Sequence, residues 1–235
     1  WQEREKASSL IVELNHKPSR AAFMSFELCF YLYSRDPTGM KQAVEELMKL
    51  SEDEGFLLYV PVGMMYLGWA LAEGGNTEEG LRQMERGKDL YCSRGNRIKF
   101  VEVSVMYAEI LRRAGRMEDA LRALGEGMNH AKTQQEHLLE PELYRLKGEI
   151  LRQNQGDTAT EAEVPLQKAV DLSRAQKARW LELRATTSLC RLWQAHGNND
   201  KARRELQQIF NWFTEGFDTK DLIEAGNLLQ ELEVT

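Results

Sequence analysis

At 235 residues the chain is long enough for one or two globular domains or for an elongated array of repeats, and its 42% apolar and 29% charged content excludes a disordered chain. A formal charge of −6 and a pI near 5.4 argue against a general binder of nucleic-acid phosphates, which would carry a strongly basic face. Five prolines and no run of alternating apolar and polar residues leave strands poorly supported, so the expected class is all-α.

In chain order, Trp1 to Leu14 is expected to form the second helix of a preceding pair. The sequence opens on Trp1 with no signal-peptide pattern nearby, and the chain is read as a piece of a longer protein. Pro18 to Ser34 and Pro37 to Ser51 form a first, degenerate pair carrying Ala43, Leu47 and Leu50, with Pro37 suited to a first helical position behind Asp36. The most apolar stretch, Gly55 to Ala72, is interrupted by Pro61 and several glycines and is too weakly apolar for a membrane span. Further pairs begin near Phe56, Arg97, Pro141 and Lys177. A final helix runs from Asp218 and Asp221 to Leu232, presenting Leu222, Ala225, Leu228, Leu229 and Leu232. With Phe210, Trp212, Phe213 and Phe217 it is expected to close the end of the core. The expected organisation is one domain over 1–235: a remnant helix at 1–16, pairs at 18–55, 56–96, 97–138, 139–176 and 177–217, and a capping helix at 218–235.

An internal repeat carries this division. Gly75, Gly115, Gly156 and Gly197 are separated by 40, 41 and 41 residues. Before each comes a small residue, Gly68, Ala108, Gly148 or Cys190, and three positions later Leu71, Leu111, Leu151 or Trp193 on the same helical face. After each come Gly80, Ala120, Ala162 or Ala202, then Met84, Leu124, Leu166 or Leu206, then Gly87, Gly127, Ala169 or Ile209. The i, i+4, i+7 spacing makes one stripe of a second helix. Such short helices bury their stripes only by stacking pair on pair.

This pattern resembles the tetratricopeptide repeat, whose signature is Trp-x2-Leu-Gly-x2-Tyr followed by Ala-x3-Phe. Met64, Ser104, Tyr144 and Thr186 stand where the family has Trp, the closing Pro is missing, and the period exceeds the usual 34 residues by roughly six. The resemblance implies an α-solenoid of antiparallel helix pairs winding as a right-handed superhelix, here with longer helices and a C-terminal capping helix. Leu181 to Trp193 (LELRATTSLCRLW), Asn211 to Asp218 (NWFTEGFD) and Tyr144 to Ile150 (YRLKGEI) further resemble the C-terminal repeats of bacterial predicted-ATPase regulators. In that family the repeats follow a class III adenylate or guanylate cyclase or a DNA-binding domain and a STAND-type ATPase.

Catalytic and metal chemistry finds little purchase. The string nearest a phosphate-binding loop, Gly63 to Trp69, has Trp where Lys is needed and reads as helix-packing glycines. His130 and His137, near Glu136 and Glu140, read as a solvated turn rather than a metal site. Cys29, Cys92 and Cys190 are odd in number, widely spaced and set in apolar stretches, which suits reduced core thiols in the cytoplasm. No catalytic residue, metal ligand or cofactor is assigned.

In tetratricopeptide stacks the first helix of each pair lines a concave groove, and the resemblance therefore marks a candidate partner-binding set. It comprises Met65, Trp69, Glu109, Arg112, Arg145, Glu149, Arg152, Arg184 and Arg191, with Glu102 and Glu142 on the same face. The set passes from apolar at Met65 and Trp69 to interleaved Arg and Glu, suited to a protein or peptide that combines an apolar anchor with charges. The bland alternative is that Arg145, Glu149 and Arg152 pair along their own helix. The two-lysine clamp of chaperone-binding relatives is not matched, because Met65 and Val105 stand at its positions. The expected function is a non-catalytic interaction and sensing module of a bacterial cytoplasmic regulator, its partner a protein or peptide or the regulator's own ATPase or cyclase domain. The alternative is a sensor that takes up a small-molecule inducer, with a deep pocket around Trp69.

Overall fold

The computed structural model describes residues 2–153 and 159–234, and among these it is helical throughout, with helices joined by short turns. Two compact units divide the chain, 1–98 and 99–235.

Unit 1 holds α1 (Gln2–Leu14), α2 (Lys17–Tyr33), α3 (Pro37–Glu54), α4 (Tyr59–Glu73) and α5 (Thr77–Ser93). Asp36 caps α3 by accepting the backbone N–H groups of Thr38 and Gly39 at 3.1 and 2.9 Å, and Pro37 follows where no donor is missed. The α4–α5 pair shows why the repeat asks for small residues. A Cβ on Gly68 would lie 2.6 Å from the Gly80 carbonyl oxygen, and one on Gly80 would lie 2.5 Å from the Gly68 carbonyl oxygen. The two backbones touch there. Met84, one turn beyond Gly80, is fully buried.

Unit 2 holds α6 (Phe100–Arg113), α7 (Met117–Gln134), α8 (Glu140–Gln153), α9 (Ala159–Ala175), α10 (Arg179–Ala195), α11 (Asn199–Phe210) and α12 (Lys220–Val234). Its pairs are α6 with α7, α8 with α9 and α10 with α11, and the first helices α6, α8 and α10 also pack side by side, followed by α12. Leu124, Leu166, Leu206 and Ile209 are buried, as the stripe requires. The fold class is all-α, a tetratricopeptide-like α-solenoid of antiparallel helix pairs.

Within the α4–α5, α6–α7 and α10–α11 pairs a glycine with positive φ follows the first helix: Gly75 at 91°, Gly115 at 74° and Gly197 at 74°. The residue after it donates back to the preceding turn, as Asn76 does to the Leu71 carbonyl, Arg116 to Leu111 and Asn198 to Trp193, each at 2.9 Å. Gly156, the fourth member of the series, lies outside the described residues.

The C-terminal aromatics depart from expectation. Leu222, Ala225, Leu228, Leu229 and Leu232 are buried against α10 and α11, and Phe210 and Phe213 pack on the same core. Trp212 and Phe217 do not: they are 57% and 49% exposed. The turn after α11 directs Trp212 outward, where the Arg179 guanidinium lies over its ring at 5.7 Å.

Candidate functional site

The charged residues singled out from the sequence come together in unit 2, on the face that α6, α8, α10 and α12 share. Glu142, Arg145, Glu149 and Arg152 recur every three or four residues along α8 and so occupy one side of it. Arg184, Ser188 and Arg191 do the same on α10, and Asp221 and Glu224 on α12.

Arg145 is the centre of this lattice. It is buried, donating from Nε and Nη2 to Glu142 at 2.8 to 3.1 Å and from Nη1 to Glu149 at 2.7 Å. Neighbouring helices extend the lattice. Ser188 of α10 donates to Glu149 at 2.7 Å, Arg184 of α10 reaches Glu142 at 3.0 Å, and Arg184 and Arg191 face Asp221 and Glu224 of α12 at 3.9 and 3.7 Å. Gln194 donates to Glu231 at 3.3 Å. On α6, Glu109 pairs with Arg113 at 3.9 Å, and the buried Glu102 with Lys99 at 3.8 Å.

Burial alone would raise the pKa of Glu149, but the Arg145 charge and the Ser188 hydroxyl outweigh it and hold the carboxyl at about 2. Glu142 is likewise lowered, its burial opposed by Arg145 and Arg184. Desolvation disfavours the charged Arg145, yet its two carboxylates keep it protonated well above the ordinary range. A carboxylate titrating near pH 2 is a poor general base at neutral pH. The lattice is suited to binding rather than to proton transfer.

The remaining members of the predicted set fall elsewhere. Met65 and Trp69 lie in unit 1 and are 2% exposed, so they are packed interior and offer no open apolar anchor. Arg145 is 6% exposed, and its donors are consumed along its own helix, as the pairing alternative anticipated. Arg112 and Arg152 differ. Arg152 is exposed, and the Nε of Arg112 is buried without a hydrogen-bond partner. Ser188, Asp221 and Glu224 were not in the predicted set. Asp221 and Glu224 could have been found by noting that they flank the apolar stripe of α12 at helical spacing.

His130 is not in a solvated turn. Its ring sits 4.6 Å from Phe100, and its Nε2 lies 3.3 Å from Glu136, which accepts the Val101 backbone N–H at 3.2 Å. His137 is more open and meets Glu140 at 2.9 Å. Among the described residues no three His, Cys, Asp or Glu groups gather to hold a metal ion, and no helix is long and apolar enough to cross a membrane.

The sequence model of the tetratricopeptide repeat family matches residues 61–86, which take in most of α4 and the first part of α5. No curated protein matches the sequence. Among solved structures the chain is similar to a signal transduction ATPase with numerous domains (STAND) that has a tetratricopeptide repeat sensor, from Pyrococcus horikoshii, with a TM-score of 0.60 and 14% identity. It is also similar to yeast Tom70, with a TM-score of 0.57 and 13% identity. These matches cover 98% and 91% of this chain but only 36% and 40% of the other two.

Proposed function

We propose that this chain, a tetratricopeptide-type domain in fold, is a scaffold for protein–protein interaction and the non-catalytic sensing module of a bacterial cytoplasmic signalling regulator. It binds a protein or peptide, or the regulator's own ATPase or cyclase domain, on the shared face of α6, α8, α10 and α12. The observation that carries this reading is the partly buried charge lattice centred on Arg145, which ties the consecutive first helices α8 and α10 to each other and to α12. Binding at that face bears on all four helices at once. An effect on an attached domain then requires only that the partner favour one arrangement of the stack over another. The fold shared with a STAND sensor supports the same reading. Uptake of a small inducer around Trp69 is less favoured, because that side chain is packed in.

The test is crosslinking through a photoreactive residue placed at Arg191 on this face, or at Gln207 on α11, in cells that make the protein. A partner captured from Arg191 and not from Gln207 is expected. Equal capture from both, or capture from Gln207 alone, removes the assignment.

A further inference from the structure

The charges on the shared face of unit 2 are not all committed. Arg145 is spent on Glu142 and Glu149, Arg184 on Glu142 and Asp221, and Arg191 faces Glu224. Arg112 and Arg152 form no hydrogen bond or close ion pair with a described residue, and the Arg112 charge acts on Glu149 only from a distance. They hold the same position in the repeat, 40 residues apart, in the last turns of the adjacent, packed helices α6 and α8. Favourable charge at a helix C-terminus accounts for Arg152 taken alone. It does not account for the buried Nε of Arg112, a charge-bearing donor removed from water with no acceptor among the described residues.

We propose that Arg112 and Arg152, two guanidiniums with no hydrogen-bonded acceptor among the described residues, at equivalent positions on the packed helices α6 and α8, receive an acidic segment of a partner polypeptide. The inference rests on the reading that this face binds protein, and it specifies the partner's chemistry. Acidic follows from the balance of the face: Glu142 and Glu149 are already neutralised, so a basic segment would have to displace Arg145, whereas a carboxylate finds donors waiting. Polypeptide follows from the spacing. Packed helix axes lie about 8–10 Å apart, too far for one carboxylate or phosphate to satisfy both arginines squarely. Alternate residues of an extended segment project from one side about 7 Å apart, and flexible arginine side chains cover the difference. The segment's terminal carboxylate is not required.

The experiment titrates the 235-residue chain with a labelled, acetylated and amidated peptide alternating Asp and Ala, and with its Asn counterpart, followed by fluorescence anisotropy. The Asp peptide is expected to bind more tightly, with an affinity that falls as salt rises. R152Q is expected to weaken it about tenfold or more, R112K to weaken it by removing the Nε donor and the planar fork while keeping the charge, and R204Q on α11 to leave it unchanged. R152Q alters an exposed side chain and R112K keeps the charge, so folding is not at stake in either. Equal binding of the Asp and Asn peptides, or indifference to both variants, overturns the inference. So does inorganic phosphate that binds with the same arginine dependence and no less tightly than the peptide, which would make this a simple anion site. If the peptide fails while the photoreactive group at Arg191 still captures a protein, only the acidic specificity falls. If that capture also fails, the protein-binding reading falls with it.

Discussion

Ser188 on α10 donates its hydroxyl to Oε1 of Glu149 on α8 at 2.7 Å, the same oxygen that takes Nη1 of Arg145 at 2.7 Å. One carboxylate thus joins two neighbouring first helices, and its ionisation is tied to their packing. With a folded pKa of about 2 against an ordinary 4.5, Glu149 contributes stability that is fully present above about pH 5. That contribution is lost as pH falls from the unfolded value through the folded one, and its size is about 3 kcal/mol. Urea unfolding at pH 7, 5 and 3 should show the wild-type chain losing stability on acidification more steeply than E149Q. Parallel curves for the two proteins would remove the linkage.

Arg145 reads from the sequence as a candidate groove residue facing a partner. The structure revises this, because the side chain is buried between Glu142 and Glu149. R145M should cost about 3–5 kcal/mol, since it strands two carboxylates in a site that no longer neutralises them. R191Q, whose side chain is 39% exposed and 3.7 Å from Glu224, should cost under about 1 kcal/mol. Denaturant midpoints compare the two directly, and similar losses would contradict the central place given to Arg145.

Leu124 is 1% exposed at the centre of the α7 stripe. L124A should lower unfolding free energy by about 2–5 kcal/mol. A near-neutral result would mean that the repeat register is wrong.

Gly68 and Gly125 are both helical glycines and should respond in opposite directions. A Cβ on Gly68 meets the Gly80 oxygen at 2.6 Å and the Met84 nitrogen at 2.8 Å, both backbone atoms that cannot step aside, so G68A should destabilise by about 1–3 kcal/mol. A Cβ on Gly125 meets nothing within 4 Å on an exposed part of α7, so G125A should stabilise by about 0.5–1 kcal/mol. Thermal melts of the two variants decide it, and a shift in the same direction for both would refute the contact.

Cys190 takes the small-residue position facing Ala202, and its thiol donates to the Ala202 carbonyl at 3.2 Å. Burial first, and then the Glu205 charge, pushes its pKa up to about 12. In a timed thiol-reagent assay on the native protein, Cys29 and Cys92, which are partly exposed, should react while Cys190 waits for unfolding. Prompt labelling of all three would show that the α10–α11 contact opens readily.

By itself the sequence determined the all-α class, the helix pairing and the turn glycines, because these follow from local physics. A period near 40 residues, small residues at the close approach of two backbones, and glycine where φ is positive are each imposed within one or two turns of chain. It also located the face on which Glu142, Arg145, Glu149 and Arg184 meet, since helical spacing fixes which residues share a side. Only the tertiary structure decided what each charge does there. Arg145 is spent on carboxylates of its own helix, but whether Arg184 and Arg191 are spent depends on carboxylates contributed by other helices, tens of residues away. Glu142 consumes Arg184, Asp221 and Glu224 of α12 face Arg184 and Arg191, and Arg112 is left with a buried nitrogen and no acceptor. The same distinction explains Trp69 and Trp212. The sequence put Trp69 on the groove face and Trp212 in the closing core, but packing against other helices buries the first and leaves the second in solvent.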